Sequence, residues 1–148
     1  MSMLQTVGYG AGVSISTQKC RLIAHAALSK GDCAAVSFAT LDATSKLPTS
    51  TKAVATAGLE ADVFVIALED VGNGEQGLFA VSGVVEALVD SGVAAGELLC
   101  GTNAAADLAD ATAVTNAKMI GRALEAYSSS ALSKVWFDGL NGLGHNET

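Results

Sequence analysis

Apolar residues in this chain gather mostly in short runs divided by glycine-bearing turns, with one alanine-rich stretch, residues 104–127, where Leu108, Val114, Met119, Leu124 and Tyr127 could form a helical face. Residues 62–68 (DVFVIAL) are rich in β-branched and aromatic side chains and predict a buried strand. Residues 34–38 predict an earlier strand, entered through the turn residues Lys30-Gly31-Asp32. After the turn Gly72-Asn73-Gly74-Glu75, residues 77–82 and 84–89 read as two strands interrupted at Gly83, where a bulge or bend is expected. Another turn over 92–96 leads to 97–100, and 134–137 (KVWF) predicts a last strand. Short strands with turns every ~8–12 residues point to a sandwich or a barrel.

Four stretches lack this rhythm. Residues 1–18 carry Gly8, Gly10 and Gly12 and read as an extended arm. Residues 42–58, rich in Thr, Ser and Ala and holding the only proline, Pro48, predict a long exposed loop. Residues 104–127 are alanine-rich, so propensity favours helix, yet Gly121, Thr112 and Thr115 oppose one continuous helix. A short helix over 122–127 is left open. Residues 139–148 read as a flexible tail. The expected organisation is an arm (1–18), a single β domain (19–138) and a tail (139–148). The expected fold class is mainly β, a compact β-sandwich or β-barrel with an extended N-terminal arm and at most one or two short helices.

Charge sharpens this picture. The 148 residues suit one domain, and half are hydrophobic while only 16% are charged, against a typical ~25%. So few charges suit a subunit partly covered by neighbours, which implies a homo-oligomer. Net charge is −7, and no Lys or Arg lies between Lys52 and Lys118, a span holding ten carboxylates. Without clustered basic residues, neither nucleic acid nor an anionic membrane is an expected partner. The acidic span reads as a solvated face. Cys20, Cys33 and Cys100 are odd in number and unpaired in spacing, which suits free thiols in a reducing compartment. Neither a secretory signal nor a run of ~20 apolar residues is visible.

Candidate chemistry is thin. Only His25 and His145 could serve as imidazole bases; His145 lies in the expected tail, and His25 sits in an apolar stretch where a packed or partner-bonded side chain is expected. Pairing Cys33 with His25 as nucleophile and base follows no recognisable spacing. Cys20, His25, Cys33 and Cys100 lack the paired ligands of a zinc site. Glu69-Asp70, Asn73 and Glu75 lack calcium-loop spacing, and Gly8-Tyr9-Gly10-Ala11-Gly12 lacks the GK[ST] of a phosphate loop. Residues 84–99 have the rhythm of a biotinyl or lipoyl carrier domain, but contain no lysine to carry the group. No catalytic, cofactor or metal residue is expected, and the chain reads as a non-enzyme.

The segment from Phe64 to Phe137 resembles the small head decoration, or capsid cement, proteins of tailed phages. The resemblance rests on IALEDVGNGEQGLFAVSGVVEALV, then VAAGELLCGTNAAADLAD, then MIGRALEAYSSSALSKVWFDGL, with a weaker match in ALSKGDCAAVSF. It implies a structural virion protein on the capsid exterior that bridges major capsid protein subunits, often as a trimer, without catalytic residues. Weak contacts made at several points at once would suffice for such bridging. Two further classes stay open: another virion component, such as a fibre base or head–tail adaptor, and a small oligomeric enzyme with an interfacial active site. The candidate interaction residues are those of the arm: Leu4, Val7, Tyr9, Val13 and Ile15, apolar groups on an uncharged segment.

Overall fold

The computed structural model describes residues 17–52, 63–101, 107–113, 118–126 and 131–140. Nine strands are present among them: β1 (Gln18–Ala24), β2 (Cys33–Leu41), β3 (Pro48–Lys52), β4 (Phe64–Ala67), β5 (Gln76–Val89), β6 (Leu98–Gly101), β7 (Leu108–Asp110), β8 (Gly121–Ala123) and β9 (Ala131–Asp138). The expected mainly β class holds, in its barrel form.

The strands β1, β3, β2, β4 and β5 follow one another by hydrogen bonding, and β1 also pairs with β5, which closes a five-stranded barrel. The remaining strands repeat this plan. Order β5-β7-β6-β8-β9 returns to β5, with β5 standing where β1 stood. Each pairing keeps its sense: β1–β3 and β5–β7 are parallel, and the other four pairings of each ring are antiparallel.

Register repeats as well. Cys20, Arg21 and Leu22 face Phe79, Leu78 and Gly77, while Val85, Glu86 and Ala87 face Val135, Lys134 and Ser133, at constant offsets. Cys33 and Ala34 face Ile66 and Val65 just as Leu98 and Leu99 face Arg122 and Gly121. The turns before β2 and β6 are built alike. Asp32 accepts from the Ser29 N–H at 2.9 Å, and Glu97 accepts from the Ala94 N–H at 2.7 Å. Gly31 and Gly96 have φ of 93° and 89°, and their N–H groups donate to Ala67 and Ala123 at 2.8 and 2.7 Å. The chain is thus two copies of one five-strand unit that share β5. The repeat extends to the interior, where buried Leu22, Ala24, Leu28, Ala34, Ala67 and Phe79 correspond to buried Ala87, Val89, Val93, Leu99, Ala123 and Val135.

Two main cores follow. One fills the first barrel with Leu22, Ala34, Val65, Ala67 and Phe79. The other fills the second unit and also takes Cys33, Phe64, Ile66 and Ala80 from the outer face of the first barrel. The β2–β4 wall is therefore apolar on both faces, which explains the unbroken hydrophobic run of β4. Shared β5 must change the face it buries between units. Ala80 and then Val85, Ala87 and Val89 point to the second core, so strict alternation is broken once between them. A register shift opposite Gln18–Lys19 leaves Val81 as the extra residue, and Gly83 at φ 112° completes the bend. That positive φ is a conformation glycine reaches without Cβ strain.

Several sequence expectations need correction. The two strands expected either side of Gly83 are one bent strand. The expected loop over 42–58 contains β3, whose backbone pairs with β2 and β1 while Asp42–Ser45 forms the turn. No α-helix occurs among the described residues. Ala111–Ala113 is one 3-10 turn, and the open helix over 122–127 is instead β8 as far as Ala123, because pairing with β6 and β9 overrides local propensity. The arm boundary shifts, since Gln18 opens β1. At the other end, buried Gly139 bonds Phe64 and Val81 and so belongs to the body. Residues 1–16 and 141–148 lie outside the described residues.

Candidate interaction surfaces

The first barrel is open on one side. There β1 and β3 pair only at Ile23–Thr49 and Ala24–Ser50, so the earlier part of β1 stands apart from β3. The gap is a groove of about 550 Å³ whose walls include Cys20, Leu22, Val36, Phe38, Val65 and Val81. Lys19 and Arg21 also line it. Phe38 is 58% exposed, an aromatic ring left largely in water on a rigid strand.

A second apolar surface lies on the outer face of the second unit. Leu98, Arg122, Leu124 and Trp136 line a smaller cleft there, of about 360 Å³. Trp136 and Leu124 are each 43% exposed. Arg122 is held along the face by donating to the Gly96 carbonyl at 2.7 Å. Where the two units meet, Lys30 and Glu86 form an exposed ion pair at 3.5 Å, a contact of small energetic weight.

Several of the groups weighed for chemistry serve the fold. Cys33 and Cys100 are buried thiols, and burial pushes both pKa values up, that of Cys100 to about 11. Cys20, half-buried on the groove wall, is raised by burial too. Such thiols are protonated and poor nucleophiles near neutrality. His25 is exposed in the bend after β1, so of the expected packed or partner-bonded side chain the packed form does not hold; the apolar stretch around it is one strand end and a turn rather than a continuous core element. Glu69 accepts from the Leu78 N–H and Asp70 from the Lys30 N–H, so these acidic turn residues brace backbone. Asp42 is held below the usual carboxylate range by the Ser45 backbone and side-chain hydrogen bonds, as the anchor of its own turn. Among the described residues, no group of three or more His, Cys, Asp or Glu side chains is placed to hold a metal ion. Also among them, no helix is long and apolar enough to cross a membrane.

The arm residues Leu4, Val7, Tyr9, Val13 and Ile15 lie outside the described residues, so the structure brings none of them to a site. Sequence reading missed the groove and the Trp136 face. The signal available for the latter was the alternation in KVWF, which puts Val135 and Phe137 inward and Trp136 outward.

No protein-family model matches the chain, and none of the curated proteins matches it in sequence. Among solved structures it is similar to the crystal structure of the head fiber gp8.5 N base of bacteriophage phi29. The match covers 88% of this chain and 100% of that one, with a TM-score of 0.59 and 15% sequence identity. At that identity the likeness is one of fold, extending over nearly the whole chain.

Proposed function

We propose that this chain is a structural component of a phage virion, carried on the outside of the head and bound to the major capsid protein as a homo-oligomer, with a trimer preferred. The observation that carries the reading is the likeness of fold, over 88% of this chain, to the base of a phage head fiber. The sequence supports it independently through the decoration-protein resemblance and the low density of charge. In this role the two barrels act as a rigid body and the exposed apolar faces as adhesive surfaces. Bridging of capsid subunits resists shell expansion because several weak contacts engage together. The protein performs no catalysis and takes no cofactor.

The test is co-purification. Particles carrying the protein should hold it at a copy number comparable to the major shell protein, and stripping it should lower the temperature at which the shell opens. Absence from purified particles would end the reading. The fiber-base neighbour also favours a second role, the seat of a projecting fibre. Micrographs separate the two, since decoration gives low knobs and a fibre seat gives long projections above them.

A further inference from the structure

Within one chain, the first unit already shows how one unit packs against the next. Its outer face presents Cys33, Ile66, Leu68 and Ala80 to the second unit, and Cys33, Ile66 and Ala80 share a core there with Val85, Ala87, Leu99 and Val135. Leu68 packs against the same core. By the register of the repeat, the receiving positions Val85, Ala87, Leu99 and Val135 answer to Cys20, Leu22, Ala34 and Phe79. Of these, Cys20 and Leu22 line the groove, while Ala34 and Phe79 lie fully buried in the first core. The presenting positions Cys33, Ile66, Leu68 and Ala80 answer to Leu98, Arg122, Leu124 and Trp136. Those four line the exposed cleft. Among the described residues, then, the chain carries on one side a presenting face and on the other a receiving groove that no other described element covers.

We infer that the groove of one copy receives the Leu98–Leu124–Trp136 face of a second copy, repeating between chains the contact that joins the units within one. This deepens the self-association proposed above and does not depend on the capsid. One difference between units shapes the fit. In the second unit the Leu88 N–H donates to Gly31 of the incoming face at 2.8 Å, whereas at the equivalent Ile23 the pairing is taken by Thr49 of the longer β3. An incoming face is thus kept further from the barrel, and the indole of Trp136 reaches where the methyl of Ala80 would not. Charges agree as well. Glu97 and Glu125 adjoin Leu98 and Leu124 in sequence, while Lys19 and Arg21 line the groove, and Arg122 is drawn back to its own Gly96 carbonyl. Because the two surfaces differ, the contact is head-to-tail and can propagate around a closed ring.

Sedimentation velocity on the full chain at micromolar concentration tests this with Phe38→Glu and Trp136→Glu, both at exposed positions. Each variant should keep the native melting temperature and lose self-association by about 30-fold or more, the effect of a central aromatic anchor. Mixed together they should form a heterodimer and nothing larger, since one intact groove and one intact face remain. Association by Phe38→Glu alone, with loss only in Trp136→Glu, would mean that the tryptophan face pairs with itself, and would overturn the inference. Oligomers unchanged in both variants would overturn it while leaving self-association standing; a monomeric parent chain would overturn both. A chain lacking residues 2–16 should still associate through Trp136. Should truncation abolish association while Trp136→Glu preserves it, the groove belongs to the arm and not to this face.

Discussion

Glu69 and Glu125 make the same hydrogen bond in the two halves of the chain: each carboxylate accepts from the backbone N–H of a residue nine positions later, Leu78 at 3.2 Å and Lys134 at 3.1 Å. Both glutamates sit where a strand ends and a loop begins, in the matching triplets Ala67-Leu68-Glu69 and Ala123-Leu124-Glu125. Matching backbone bonds accompany them, from Leu68 N–H to Leu78 at 3.0 Å and from Leu124 N–H to Lys134 at 3.1 Å. Glu69→Ala and Glu125→Ala should each cost about 0.5–1.5 kcal/mol in urea unfolding, the range for one hydrogen bond. The double variant should lose the sum, because the two share no partner. A clear cost at one position and none at the other would deny them equivalent roles.

Gly31 and Gly96 offer a comparison with a built-in control. Both need positive φ, so alanine strains the backbone similarly at each. Around Gly96 a Cβ would meet nothing within 4 Å, whereas at Gly31 it would run into the side chain of Leu132 and approach the Leu88 nitrogen at 3.2 Å. Gly96→Ala should therefore cost about 1–3 kcal/mol, the φ strain alone. Gly31→Ala should cost about 1 kcal/mol more, because the exposed Leu132 side chain can turn aside but the Leu88 backbone nitrogen cannot. Equal losses in thermal or urea unfolding would mean that the junction between units gives way freely.

Ser133 lies on β9 with its hydroxyl buried and without a hydrogen-bond partner among the described residues. An unpaired buried polar group costs about 1–3 kcal/mol. Ser133→Ala deletes the hydroxyl and leaves the strand otherwise intact, so it should raise the urea midpoint, by about 1 kcal/mol in stability. A lowered midpoint would reveal a partner for the hydroxyl.

The strand content was legible in the sequence because β4, the two halves of β5 and β9 combine β-branched or aromatic residues with glycine turns. Gly83 was legible as an interruption, though not as the point where one strand passes between two barrels. That role depends on which core each neighbouring residue enters, a fact of tertiary structure. The repeat itself was hard to see. Its most visible trace is Ala-Leu-Glu at two places, each followed at equal distance by Gly83 or Gly139, while most equivalent positions differ, as Cys33 from Leu98 or Ala80 from Trp136. Backbone pairing preserves the plan where side chains have diverged, since a barrel asks only for alternation and turns. β3 was missed because Thr and Ser in PTSTK read equally as loop and as strand; its pairing with β2 and β1 decides. The adhesive faces were illegible for another reason. Exposed Phe38 and Trp136 look like core residues until the strand direction is known.

The buried thiols predict how stability responds to alkali. Burial raises Cys33 far above the ordinary thiol range, with Cys100 and Asp32 adding to the effect. Burial likewise raises Cys100, to about 11, with Asp110 adding to it. In the unfolded chain both should titrate near ~8.5. Below that value folded and unfolded states hold the same protons, and these thiols give no pH dependence. Above it the unfolded chain releases protons that the folded one keeps, so stability must fall as pH rises. Each thiol contributes a slope of about −1.4 kcal/mol per pH unit once the unfolded form is fully ionised. The Cys100 contribution levels off near pH 11, and that of Cys33 continues beyond it. Urea unfolding between about pH 8 and pH 10.5 measures the slope directly. Cys33→Ala lowers stability at every pH by removing a core atom, so the slopes rather than the absolute values are to be compared. The variant should lose stability less steeply, by roughly 1.4 kcal/mol per pH unit at the alkaline end. Parallel curves for parent and variant would show that Cys33 ionises at the same pH folded and unfolded, and would contradict its place at the centre of the core shared by the two units.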